Sequence, residues 1–217
     1  MAFKTSLTVM VLSLALAAGW SGAASALANA PDAMPEVRSL GDHVLTIAKD
    51  PSCKTNREGC REKLRVLIED YWDTTGMARS ALGYHWKTLD EAQRQQFTQL
   101  FSSLVESIYL SRSNFSKAQN YTNSVKVEYL KEIPEGDGFR KIDTTVTLKA
   151  GDKPIKVDYR LRWLDGKWKV YDVIVEDISL TGNYRNQFNR VINSHGYPEL
   201  VRMLQSKIQQ IKASEGT

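Results

Sequence analysis

Hydrophobic and polar positions alternate most clearly between residues 157 and 175. Val157, Tyr159, Leu161 and Trp163 are interleaved with Asp158, Arg160 and Arg162, the period of two expected of a half-buried strand. Asp165-Gly166 follows and predicts a tight hairpin, because Gly accepts the positive φ such turns demand. The return strand is apolar on both sides, with Trp168, Val170 and Ile174 on one and Tyr171, Val173 and Val175 on the other. A strand of that kind is expected to be covered on both faces. Upstream, Val125, Val127 and Tyr129 alternate with Lys126 and Glu128, and residues 139–149 place Ile142, Val146 and Leu148 on one face. Turn residues at 134–138 and 150–153 join these runs, so four strands in a simple antiparallel meander are predicted.

On either side of the strands the spacing changes to three and four. Val37, Leu40, Val44, Ile47 and Ala48 predict an amphipathic helix over 31–50, stopped by Pro51. Leu64, Leu67, Ile68 and Tyr71 predict a second over 57–72. Asp73 or Thr74 can cap a short third that includes Met77 and Leu82 and ends at Gly83. Thr88-Leu89-Asp90-Glu91 reads as a capping box that opens the longest helix, running to about residue 113. Its stripe of Phe97, Leu100, Phe101, Leu104, Val105 and Ile108 is wide enough to cover a sheet. After the strands, Leu180, Tyr184, Phe188, Val191 and Ile192 predict a helix ending before Gly196. Leu200, Val201, Leu204, Ile208 and Ile211 predict a last one that Pro198 begins. The expected fold is α+β: a four-stranded antiparallel sheet with helices over one concave face, in one domain spanning 31–213.

The N-terminus sets the expected compartment. Lys4 precedes an uncharged apolar run over 7–18, and A-x-A triplets follow at 24–26, 26–28 and 28–30. This is the pattern of a secretory signal peptide over 1–28, with cleavage expected within 26–30 and an apolar run too short to span a membrane comfortably. No Cys follows that run, so lipoprotein processing is not indicated. Cleavage removes Lys4 and leaves a formal charge of +3, from 28 basic side chains against 25 acidic ones. The excess is spread along the chain, unlike the basic stripe of a nucleic-acid-binding protein, and is compatible with weak attraction to anionic headgroups.

Export also places Cys53 and Cys60 where disulfides persist. On a continuous helix their Cα atoms would lie roughly 10 Å apart, too far for a bridge. A pairing therefore requires the CKTNREGC segment to be a looped turn between two helices, and closing it is expected to contribute roughly 2–3 kcal/mol. A metal site needs more ligands than these two, and the redox C-x-x-C spacing is absent, so a structural disulfide and no metal are expected.

The sequence carries little that points to catalysis. His43, His85 and His195 are scattered, and no nucleophile elbow, zincin, P-loop or dinucleotide motif is present. Asp172 is a carboxylate in an otherwise apolar strand. Such a group can act as a general base with Tyr159 as an oxyanion donor, or be an ion-pair partner of Arg160, Arg162 or Arg185. Phe97, Phe101, Tyr159, Trp163 and Tyr171 fit either a ligand cavity or a core.

The segments Val157-Asp158-Tyr159-Arg160, Trp168-Lys169-Val170-Tyr171-Asp172-Val173, Ser179-Leu180, Asn183-Tyr184-Arg185 and Gln187-Phe188 resemble the signature of the MlaC, or toluene-tolerance auxiliary, family. Those are periplasmic phospholipid-binding proteins that serve an ABC-type lipid transporter. The resemblance continues upstream through Ala81-Leu82-Gly83, Trp86, the TLDEAQRQQF helix start, Phe101 and Tyr109, and downstream to Gly196, Leu200 and Leu204. The cysteine-bracketed loop departs from the usual member. The resemblance implies a fold related to the nuclear-transport-factor-like cones, with a lipid cavity between sheet and helices. It further implies a soluble, monomeric carrier, not an enzyme, that takes the acyl chains of a glycerophospholipid as cargo and needs no cofactor. Such a carrier would shuttle between an outer-membrane lipoprotein–porin complex and an inner-membrane ABC transporter bearing an MCE-domain ring. A hopanoid-type terpenoid is the alternative cargo, and a small enzyme using Asp172 the alternative activity.

On this reading the candidate cavity lining from the helices is Met77, Phe97, Phe101, Leu104, Val105, Ile108, Tyr184 and Phe188. From the sheet it is Val146, Leu148, Tyr159, Leu161, Trp163, Tyr171, Val173 and Val175. A diacyl lipid calls for a pocket of roughly 1,000 Å³, near the upper end of the usual range.

Overall fold

A computed structural model describes residues 30–110, 121 and 123–215. The predicted signal peptide and the predicted extension of the long helix to residue 113 lie outside the described residues. The order is α1 (Met34–Lys49), a 3₁₀ turn (Pro51–Lys54), α2 (Arg57–Tyr71), α3 (Thr74–Leu82), a 3₁₀ turn (Gly83–Thr88) and α4 (Glu91–Tyr109). Strands β1 (Lys126–Gly136), β2 (Phe139–Thr147), β3 (Ile155–Leu164), β4 (Lys167–Val175) and β5 (Ile178–Ser179) follow, then α5 (Leu180–His195) and α6 (Tyr197–Glu215). The fold is α+β, and the sheet is antiparallel with its strands in sequence order. Of the strands, the prediction missed β5, whose two residues are too few to show a period.

The β3–β4 turn forms as its residues require: Asp165 and Gly166 both take positive φ, 51° and 80°, between paired Leu164 and Lys167. Further along, the register shifts. Leu161 faces Val170 while Arg160 faces Asp172, so Tyr171 is an extra residue in β4. A bulge of this kind moves everything beyond it to the opposite face. Val173 and Val175, opposite Tyr159 and Val157, therefore join the face that carries Trp168 and Val170, and Ile174 leaves it. This corrects the predicted alternation, which separated Val173 and Val175 from Trp168.

Two cores result. One lies between α1 and the sheet, where Val37 and Leu40 pack with Ile142, Leu161, Trp168 and Val170. The sheet also secures α1 at its start, where Glu132 accepts from the Ala33 and Met34 amides at 3.0 and 2.9 Å. The other core is built mainly from α3 to α6 around Met77, Phe97, Phe101, Phe188, Leu200 and Leu204, with Tyr171 of β4 packed against it. The far face of the sheet is polar, and its buried Asp158 lies 3.5 Å from Lys141 and 3.6 Å from Lys156.

Local signals hold with one displacement. Asp73 caps α3 by accepting from Gly76 N at 2.8 Å, and Gly83 ends it at φ 58°. The capping box of α4 is Asp90 with Gln93, at 2.8 and 3.0 Å, two residues later than predicted. The two frames overlap in sequence, and Thr88 is drawn into the preceding 3₁₀ turn by its bond to the His85 carbonyl. Cys53, in the first 3₁₀ turn, is disulfide-bonded to Cys60 in the opening turn of α2, with Cα atoms 5.5 Å apart. The sulfurs join a small core with Leu64 and Leu110, against which Ile47, Leu67 and Ile68 pack. Reducing the disulfide, or replacing both cysteines with Ser, should lower unfolding stability by roughly 2–3 kcal/mol. Urea unfolding with and without reductant measures this, and coincident midpoints would show that the loop needs no bridge.

Candidate functional site

A cavity of about 610 Å³ lies between the sheet and the helices. Tyr159, Val173 and Val175 form its sheet wall, the last two placed there by the bulge. α2 contributes Ile68, α3 Met77 and α4 Phe101 and Val105, while Ile178 and Leu180 close the side where β5 runs into α5. A second cavity of about 540 Å³ lies among α4, α5 and α6, lined by residues including Leu104, Ile108, Tyr184, Phe188, Leu200 and Met203. Tyr109, Leu180 and Asn183 line both. Neither cavity alone reaches the volume expected for a diacyl lipid, whereas the adjoining pair exceeds it.

The structure thus brings Met77, Phe101, Val105, Tyr159, Val173 and Val175 around the larger space, and Leu104, Ile108, Tyr184 and Phe188 around the smaller. The other six candidates line neither. Phe97 is fully buried in the helical core, 6.0 Å from the Phe101 ring. Leu161 and Trp163 pack into the α1–sheet core, the latter against Trp168 at 5.2 Å. Tyr171, at the bulge, turns to Phe139 at 5.8 Å. Val146 pairs with Ile155 towards the end of the β2–β3 ladder, and Leu148 follows the end of β2. Periodicity reveals an apolar face but not which part of it another element covers.

Sequence reasoning did not assign Ile68, Trp72, Tyr109, Ile178 and Leu180 to the lining, though Ile68 and Leu180 stood on predicted apolar stripes. It also missed a charged margin of Arg65, Glu69, Glu106 and Glu176. Arg65 of α2 reaches Glu106 of α4, with Nε and Nη2 at 2.7 and 2.6 Å from the same oxygen, Oε1. That hydrogen bond raises the guanidinium pKa above its ordinary value.

Asp172 lies outside both cavities. It is 2 % exposed and accepts from Ser179 Oγ at 2.6 Å and Thr181 N at 3.0 Å, while Arg160 stands 3.9 Å away. Ser179 in turn accepts from Gly182 N at 2.9 Å, so the carboxylate anchors the start of α5. The histidines do not converge. His85 is buried on Asn189 at 2.7 Å, and His43 bonds Tyr71 at 3.1 Å. Among the described residues, metal-ligand atoms gather only at Asp50, Cys53 and Cys60, whose sulfurs are bonded to each other.

The family model described as MlaC protein matches residues 38–206. A relative from Haemophilus influenzae, named intermembrane phospholipid transport system binding protein MlaC, is 26% identical over 154 residues, which are 68% of this chain and 69% of that one. A solved structure of a phospholipid-binding protein from Ralstonia solanacearum, in complex with a phospholipid, superposes with a TM-score of 0.69. It is 28% identical in sequence, and the match covers 84% of this chain and 99% of that one.

Burial lifts the phenols of Tyr159 and Tyr184 to about 12, against 10.0 for a free side chain. The unfolded chain therefore loses these protons first. Stability present below pH 10 should decline as the pH rises from 10 towards 12. Denaturant midpoints across that window measure the decline, which Tyr159→Phe should make shallower; an unchanged slope would mean that Tyr159 is solvated. Asp172→Asn should cost about 1–3 kcal/mol by weakening the α5 anchor, read as a shifted urea midpoint.

Proposed function

This chain belongs to the MlaC family, and from that premise we propose that it is a periplasmic carrier of glycerophospholipid. The acyl chains occupy the two adjoining cavities and the headgroup remains at the charged margin. The observation that carries the reading is apolar space between the sheet and the helices, continued among α4, α5 and α6 and left unfilled by side chains. The phospholipid complex of the similar Ralstonia protein supports it, as does the export pattern of the first thirty residues. Among the described residues no helix is long and apolar enough to cross a membrane. Asp172, the one carboxylate that suggested a general base, is committed to holding α5.

The energetics require partners. At about 0.8 kcal/mol per buried methylene, two acyl chains carry on the order of 20 kcal/mol of aversion to water. Release into the aqueous periplasm is negligible on that scale, so loading and unloading take place in docked complexes. The carrier shuttles between an outer-membrane lipoprotein–porin complex and an inner-membrane ABC transporter with an MCE-domain ring.

Native mass spectrometry of the mature protein purified from lipid-containing cells should show one bound phospholipid per chain. Repeated lipid-free preparations that cannot be loaded would overturn the proposal, and a bound terpenoid would replace the cargo. Val173→Asp places a charge on the cavity wall and should abolish retention, with Val105→Glu as the helical counterpart should the strand variant fail to fold. A folded variant of either kind that keeps its lipid would show that this space is not the binding site.

A further inference from the structure

We infer that the margin of the larger cavity selects zwitterionic phospholipids over anionic ones, Arg65 receiving the headgroup phosphate and the surrounding carboxylates its ammonium. The inference rests on the carrier reading and adds to it the chemical class of the cargo.

Four charged residues line this cavity: Arg65, Glu69, Glu106 and Glu176. They stand at its edge. Glu69 and Glu176 are exposed, and the side chains of Arg65 and Glu106 each retain 32% exposure. Arg65 is the only cation among the described residues of the lining. Its two bonds to Glu106 fall on one oxygen, and Nη1 turns to Glu62. A guanidinium is matched best by two acceptor oxygens side by side, which a phosphate diester presents and this arrangement does not. The phosphate of a seated lipid therefore offers Arg65 a better partner than the one it holds, and frees the Glu106 carboxylate.

The balance of charge then decides the rest of the headgroup. One cation stands against Glu62, Glu69, Glu106 and Glu176. The neighbouring Lys156 does not offset them, because its ammonium goes to Asp177 at 2.6 Å and Asp158 at 3.6 Å. A net anionic lipid brings a second negative charge into a negative margin. A zwitterionic lipid brings a compensating ammonium a few atoms beyond the phosphate, to a margin that carries more carboxylates than cations. Exposed charges act weakly, so the expected preference is about three- to tenfold at low ionic strength and shrinks as salt screens it.

The test incubates the delipidated mature protein with vesicles of equimolar phosphatidylethanolamine, phosphatidylcholine and phosphatidylglycerol, then quantifies the lipids captured by mass spectrometry. Capture of the two zwitterionic lipids should exceed that of phosphatidylglycerol by the factor above in 20 mM salt and approach parity in 500 mM. The double variant Glu69→Gln/Glu176→Gln should lose most of the low-salt preference. Gln keeps the acceptor oxygen that Glu176 offers to Lys156 N, so the local hairpin survives. Equal capture at low salt, or an excess of phosphatidylglycerol, overturns the selectivity while leaving the carrier reading intact. A protein that captures none of the three overturns both.

Discussion

In β4 a single extra residue, Tyr171, shifts the side-chain phase between Val170 and Asp172, and much of the architecture depends on that shift. Before it, the inward residues Trp168 and Val170 seal the core under α1. After it, Val173 and Val175 look from the same face into open space, and Asp172 points to the other side. There the carboxylate collects Ser179 Oγ and the Thr181 amide and fixes where α5 begins. Had the strand kept a strict alternation, its two valines and its one carboxylate would have exchanged faces. A charge would then have stood in the cavity wall, where desolvation is costly.

Keeping an apolar space open is the opposite of what packing favours, since a collapsed wall recovers dispersion contacts. Here the two sides of the space are held from behind. On the helical side, Phe97, Phe101, Tyr184 and Phe188 interlock with ring centroids 5.3 to 6.0 Å apart, several of them edge to face. On the sheet side, Ile142 and Leu161 are fully buried against α1, so the strands cannot follow the helices inward. Between them α2 spans the gap. Trp72 pairs with Val170 at its C-terminal end, and the Cys53–Cys60 link ties its opening turn to the connection from α1.

What the sequence made legible follows from the range of the interactions involved. The hairpin at Asp165-Gly166, the Asp73 cap and the order of elements are local, and they stand as the residue spacing predicts. The capping box moved by two residues because two overlapping frames carry the same signal. The bulge at Tyr171 was invisible, since it is a property of the pairing with β3 and not of β4 alone. For the same reason Phe97 and Phe101, neighbours on one apolar stripe, have different fates: one is sealed in the helical core and the other reaches the cavity. Periodicity assigns a face, and tertiary packing divides that face between core and cavity. The charged margin escaped notice because Arg65 and Glu106 lie 41 residues apart, and each alone reads as a solvated helix position.

That margin also bears on how cargo leaves. On the proposed function, the apolar walls would hold acyl chains through surface burial, which has no directional preference and changes little unless the walls move. The Arg65–Glu106 pair, by contrast, joins α2 to α4 across the cavity edge and is partly exposed to solvent. In the proposed exchange of Arg65 from Glu106 to a headgroup phosphate, a charge-assisted bond is present in both states. The exchange nevertheless removes a direct link between the two helices that bound the opening. If the headgroup binds Arg65 as proposed, its entry would weaken that link, and retention would rest on the chains. On the proposed function, release would then depend on a docked surface that takes those chains at least as well as the cavity does.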